Sequence, residues 1–160
     1  MLKRAFTIFS LAVMLVVLSS ASLAMAQTSS GNSDSETILS LTGLRFTKIF
    51  SLYGTPTDIY ALRGDTADDD GVMLDYDGFT FKVRNKVIVM ALFWKEYTGA
   101  VKGLHIGDSK SFVTGKLGKT DNIHELSDGR TTYYWEMSDY YFGVIFDSTD
   151  AAVTFKTESK

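Results

Sequence analysis

The chain has 160 residues, with 16 basic against 19 acidic side chains and a formal net charge of −3. An acidic balance lacks the basic footprint that nucleic acid or an anionic membrane surface requires. With no cysteine anywhere, there is neither a disulfide framework nor a thiol to carry a lipid, and stability must come from the core.

Residues 1–26 read as an export signal. Lys3 and Arg4 form a basic start, residues 6–18 an apolar run, and Ala24-Met25-Ala26 a small-x-small cleavage site. Cleavage after Ala26 leaves a periplasmic or secreted chain with no stable membrane insertion. Without Lys3 and Arg4, 14 basic residues face 19 acidic ones, a net charge of about −5. Residues 27–36 are polar and serine-rich and read as a flexible leader.

Residues 44–53 carry apolar side chains at Phe46, Ile49, Phe50 and Tyr53, one helical stripe. Gly54 supplies a left-handed stop and Pro56 prevents continuation. A strand follows through Ile59 and Tyr60. Next comes the acidic run Asp65-Thr66-Ala67-Asp68-Asp69-Asp70-Gly71. Phe79, Phe81 and Val83 alternate with polar residues as a half-buried strand, and Arg84-Asn85-Lys86 is a tight turn. Residues 87–94 are apolar on both faces, as a central strand requires. Residues 97–103 link this half to the next, with Gly99 and Gly103 as hinges.

The pattern then returns. Asp108 or Ser109 caps a helix with Phe112, Val113 and Leu117 on its stripe, and Gly118 ends it. Strands are predicted over residues 131–137, 141–146 and 152–156, with turns at Ser127-Asp128-Gly129 and Ser148-Thr149-Asp150. An offset of 64 carries Gly43 onto Gly107, Ile49 onto Val113, Tyr53 onto Leu117, Gly54 onto Gly118 and Ile59 onto Ile123. The expectation is an α+β protein of two tandem units, 37–98 and 99–160. Each is a helix followed by an antiparallel meander, in two layers with one sheet face open. An eight-stranded β-barrel is the alternative.

The pieces Leu104-His105-Ile106-Gly107-Asp108-Ser109, Val113 to Lys119, Asp128-Gly129 and Tyr134-Trp135 fall in a familiar order. They resemble the helix-glycine-strand unit of the β-lactamase inhibitor proteins and of the SmpA/OmlA outer-membrane assembly lipoproteins. Tandem copies behind an export signal are more like the inhibitors, although the inhibitors carry disulfides and this chain has none. The resemblance implies a protein-binding module with an aromatic-rich sheet. It also implies that a turn presents an aspartate flanked by aromatics to the partner. The matching positions are Asp75-Tyr76-Asp77 in the first half and Asp139-Tyr140-Tyr141 in the second.

Tyr134 joins this protein-binding set because its same-face neighbours Thr132 and Glu136 are polar. Trp94 reads as core filling at the junction between the halves, with a hot-spot anchor as the alternative. The acidic run matches a calcium loop in spacing, with Thr66, Asp68 and Asp70 at its first, third and fifth ligand positions and Asp77 at its twelfth. Its bland alternative is a solvated hairpin tip that discourages edge pairing. His105 and His124 stand apart from each other, so zinc is unsupported, and no cofactor is expected. No nucleophile elbow, phosphate loop or dinucleotide fingerprint is present, so no enzyme is expected. The function expected is an exported module that binds an envelope or secreted protein, inhibitor-like or assembly-like. The alternatives are a small-ligand- or calcium-binding envelope protein, or a structural component.

Overall fold

The structure is a computed structural model that describes residues 35–67 and 70–160. The export signal, the leader up to residue 34, and Asp68 lie outside the described residues. Residues 35 and 36 do not belong to a leader. They open helix α1 (Ser35–Ser40), which buries Ser35, Ile38 and Leu39.

Next come α2 (Thr47–Tyr53), β1 (Asp58–Leu62), β2 (Gly71–Tyr76), β3 (Phe79–Arg84) and β4 (Val87–Phe93). The second half holds α3 (Lys110–Leu117), β5 (Ile123–Glu125), β6 (Thr131–Glu136), β7 (Tyr140–Phe146) and β8 (Ala152–Ser159). The strands form one antiparallel sheet in the order β1-β2-β3-β4-β8-β7-β6-β5. β1 and β5 are its two edges, so the sheet is open and the barrel expectation fails. The fold is mixed α+β.

Register decides which side chains meet the helices. Phe79, Phe93, Phe155, Val144 and Tyr133 follow one another across five strands. Two residues along, Phe81, Ala91, Thr157, Phe142 and Trp135 do the same. These rows, all but Tyr133 buried, face the helices. Tyr53 of α2 packs its ring against Tyr76, Phe79 and Phe81. The Trp135 indole donates to the Gly118 carbonyl that ends α3, at 3.0 Å. The Thr42 and Thr157 hydroxyls meet at 2.6 Å beneath the α1 segment.

Each predicted helix stripe is half right. Ile49 and Val113 are fully buried, whereas Phe50 and Phe112 face solvent. A helix of two turns on a sheet covers only a narrow strip, so the flanking apolar positions stay outside. Lys102 (φ 53°) and Gly103 (φ 70°) form a tight turn whose flanking Val101 and Leu104 pair with each other and are fully buried.

A set of backbone hydrogen bonds recurs at an offset of 64. Gly43 N–H donates to Ile88 O at 2.8 Å, and Gly107 N–H to Ala152 O at 2.7 Å. Ile88 N–H returns to Leu44 O at 2.9 Å, and Ala152 N–H to Asp108 O at 2.9 Å. The bridge Arg45–Val87 has its counterpart in Ser109–Ala151. The ring donors Tyr76 Oη and Trp135 Nε1 both reach the carbonyl of a helix-ending glycine, Gly54 and Gly118, at 3.0 Å.

Candidate functional site: the open face of the sheet

Alternation sends Tyr134 away from the helices, between the inward Tyr133 and Trp135. Directly opposite on β7 stands Gly143, with Lys156 of β8 beyond it. A Cβ on Gly143 would lie 3.1 Å from Tyr134 Cε1 and 2.9 Å from Lys156 Cγ. Glycine therefore lets the Tyr134 ring lie across β7 with the Lys156 stem beside it.

The polar ends then converge. Tyr134 Oη donates to Glu158 Oε1 at 2.9 Å, and Lys156 Nζ donates to the same oxygen at 2.8 Å. The ammonium sits 4.7 Å from the Tyr134 ring centroid, a cation–π distance. Burial raises the Tyr134 phenol above the usual tyrosine range; Lys156 opposes this and Glu158 reinforces it. Burial works against the Lys156 charge, but Glu158 and Tyr134 together outweigh it and hold the ammonium above its ordinary value.

The exposed edge strand β5 supplies the other wall. His124 meets the Tyr134 ring edge-on at 5.5 Å and 88°, and its Nε2 lies 2.9 Å from Asn122 Oδ1. Asn122, His124, Tyr134, Tyr141 and Glu158 line a recess of about 280 Å³. Aromatic walls with a few fixed polar groups are suited to anchoring a partner side chain.

Of the expected binding residues, Tyr134 and Tyr141 come together here. Asp75 shares the open face but lies five strands away on β2, about 24 Å at the usual strand spacing. Its Oδ1 accepts from Thr80 Oγ1 at 2.6 Å, and Thr80 accepts from Trp94 Nε1 at 2.6 Å. Trp94 is therefore not core filling: it is 38% exposed beside the open face.

Tyr76 faces the other way. It stacks on Phe79 at 5.3 Å and donates to Gly54 O at 3.0 Å, and burial pushes its phenol up to about 12. Tyr140 also faces the helices and packs against the core. Neither serves as an exposed anchor. Asp77 and Asp139 are exposed, but they cannot act together. The register puts the β2–β3 turn and the β6–β7 turn at opposite ends of the strands.

The calcium spacing is undone by β2. Asp70 and Asp77 flank this six-residue strand, roughly 20 Å apart by its rise. Asp70 is already held by Arg63 at 2.7 Å and by the Gly64 N–H at 3.0 Å. Among the described residues, no group of acidic or histidine side chains is placed to hold a metal.

Sequence reasoning missed Asn122, His124, Lys156 and Glu158 as partners of Tyr134. The available signal was Gly143 in the middle of an apolar strand, which marks a close approach across the sheet.

No family model matches the chain, and no curated protein does. Solved structures do resemble it. One is an extracellular protein containing an SCP domain from Bacillus anthracis, with TM-score 0.56 and 18% identity over 80% of this chain and 47% of that one. Another is a DUF4309-family protein from Bacillus subtilis, with TM-score 0.53 and 14% identity over 72% of this chain and 78% of that one. A third is a cysteine-rich secretory protein from Staphylococcus aureus, with TM-score 0.55 and 13% identity over 76% of this chain and 44% of that one. The chain thus spans less than half of the first and third. At these identities the likeness is one of fold. None of the three is a β-lactamase inhibitor protein or an assembly lipoprotein. No described helix is long and apolar enough to cross a membrane.

Proposed function

We propose that this chain is an exported protein-binding module of two tandem helix-and-meander units. It takes its partner on the open sheet face, at the recess between Tyr134, Tyr141 and His124. One observation carries the reading. The described helices cover one face only, while on the other the Tyr134 ring is pre-arranged by Glu158, Lys156 and Gly143, with Tyr141 lining the same recess. Fixed aromatics at a surface lose little freedom on binding, which is why such groups serve as anchors.

The tandem organisation is supported by the hydrogen bonds repeated at an offset of 64. Export is supported by the residue pattern of 1–26 and by neighbours described as extracellular and secretory. The partner is an envelope or secreted protein that presents a basic surface, which the acidic balance of the chain attracts. The role is binding rather than catalysis. The one carboxylate in the recess, Glu158, is committed to Tyr134 and Lys156.

Pull-down from envelope and secreted fractions tests this reading. A dominant partner held by the natural chain and lost on the double change Tyr134→Ala/Tyr141→Ala is expected. Equal capture by the folded double variant would move the site elsewhere.

A further inference from the structure

The helix side carries a second recess, of about 400 Å³, within the range of small-molecule sites. It lies between the first turn of α3, residues 119–121, Tyr133 of β6 and the β7–β8 turn.

The chain contains its own control for this region. Lys110 N–H donates to Asp150 O at 2.8 Å, and Phe46 N–H to Lys86 O at 3.1 Å. These bonds make Lys110 the counterpart of Phe46, and Asp150 that of Lys86. One helical turn on, Thr114 corresponds to Phe50. In the first half, the Phe46 and Phe50 rings meet edge to face at 5.8 Å. In the second half, the same backbone frame carries Lys110 and Thr114, and the ground is open and polar. The same frame carries two aromatic rings in the first half, Phe50 half exposed, so the fold does not demand the polar set.

The lining defines the ligand. Lys110 and Lys119 are balanced by Asp121 and Asp150, so net charge selects neither an anion nor a cation. Lys110 pairs with Asp150, which sets a donor beside an acceptor. Hydroxyl groups of a ligand need that combination, because each donates and accepts at once. Thr114 spends its proton on Lys110 O at 2.9 Å and keeps lone pairs to accept. The Tyr133 ring is held by Trp135 at 6.3 Å and by Phe146 at 5.3 Å, giving a rigid apolar border.

We propose that this recess binds a neutral polyhydroxylated ligand, a saccharide unit, through the Lys110–Asp150 pair, Asp121 and Tyr133. The site is on the opposite face from Tyr134 and stands whether or not a protein binds there.

Amide NMR titration of the purified chain tests it, with the N-acetylglucosamine trisaccharide and maltotriose as probes and inorganic phosphate as comparator. Saturable shifts at Lys110, Ser111 and Tyr133 with at least one trisaccharide are expected. The double change Lys110→Phe/Thr114→Phe places the first half's two rings on this frame and removes the polar lining; it should fold and bind at least about tenfold more weakly. Asp121→Ala, at an exposed position, serves if the double variant fails to fold, and should also weaken binding. Silence with both saccharides overturns the proposal, as does a response to phosphate alone. So does unchanged saccharide affinity in the folded double variant, or in Asp121→Ala where that variant decides.

Discussion

Lys86 and Asp150 stand 64 residues apart, in the same left-handed conformation, and accept the same backbone hydrogen bond. Their φ angles are 64° and 63°, and their carbonyls receive the Phe46 and Lys110 N–H groups. A non-glycine residue there carries a steric cost that its neighbours must over-determine.

Lys86 follows Asn85, also at positive φ, in the two-residue β3–β4 turn. Asn-Gly is the preferred pair for such a turn. Lys86→Gly should therefore stabilise the protein by about 1 kcal/mol, after the entropy that glycine loses on folding is set against the relief of strain. A denaturant melt with an unchanged slope and a higher midpoint is the expected result; a lower midpoint contradicts it.

Ile49 and Val113 are each the one fully buried side chain of their helices. Ile49→Ala should cost about 2–5 kcal/mol. Phe112→Ala, on the exposed side of α3, should stay within about 0.5 kcal/mol. Comparable losses from both would mean that α3 buries a different face.

Tyr76 gives the fold an alkaline limit. Its folded pKa, about 12, lies above the ordinary tyrosine value of 10.0. The protonated phenol is thus the form that the folded state favours. The stability it contributes is complete below pH 10 and is lost as pH rises toward 12. Tyr76→Phe should flatten that loss in a series of melts between pH 9 and pH 12, at the expense of the hydrogen bond to Gly54. An unchanged pH slope would place the titration elsewhere.

Gly143→Ala tests how the open-face recess is built. The added methyl meets the Lys156 stem and the Tyr134 ring at 2.9 and 3.1 Å. The 2.9 Å contact is with Lys156 Cγ, close to the backbone, so the whole lysine stem must shift and the variant should fold with reduced stability. The Tyr134–Glu158 hydrogen bond should not survive. A spectrophotometric phenol titration with one tyrosine shifted toward the ordinary value is expected; an identical curve would show that the ring sits free of β7.

The parts of the fold that local chemistry decides were legible in the sequence. Ser109 caps α3, accepting from Phe112 N–H at 3.3 Å, and Gly54 and Gly118 end their helices at positive φ. The strand through Phe79, Phe81 and Val83 forms where the alternation puts it, although Thr80 on its other face is buried as well. What depends on distant pairing was not legible. Whether β1 and β5 meet decides between barrel and open sheet, and nothing local to Ile59 or Ile123 says that both stay exposed, at 56% and 44%. The site was half legible. Tyr76 stands two residues from the buried Leu74, so alternation alone assigns it to the helix side. The turn resemblance pulled it outward instead. Glu158 and Lys156 reach Tyr134 only through the β6–β7–β8 register, which no motif announces.

A partner that docks on the open face must lie within reach of Tyr141 and away from Phe112. Photo-crosslinking tests it most directly, with benzoylphenylalanine placed at Tyr141 on that face or at Phe112 on the helix side, in chains exposed to envelope and secreted fractions. A discrete adduct from position 141 and none from position 112 is the result predicted. An adduct from position 112 alone would put the interface on the helices and contradict the account.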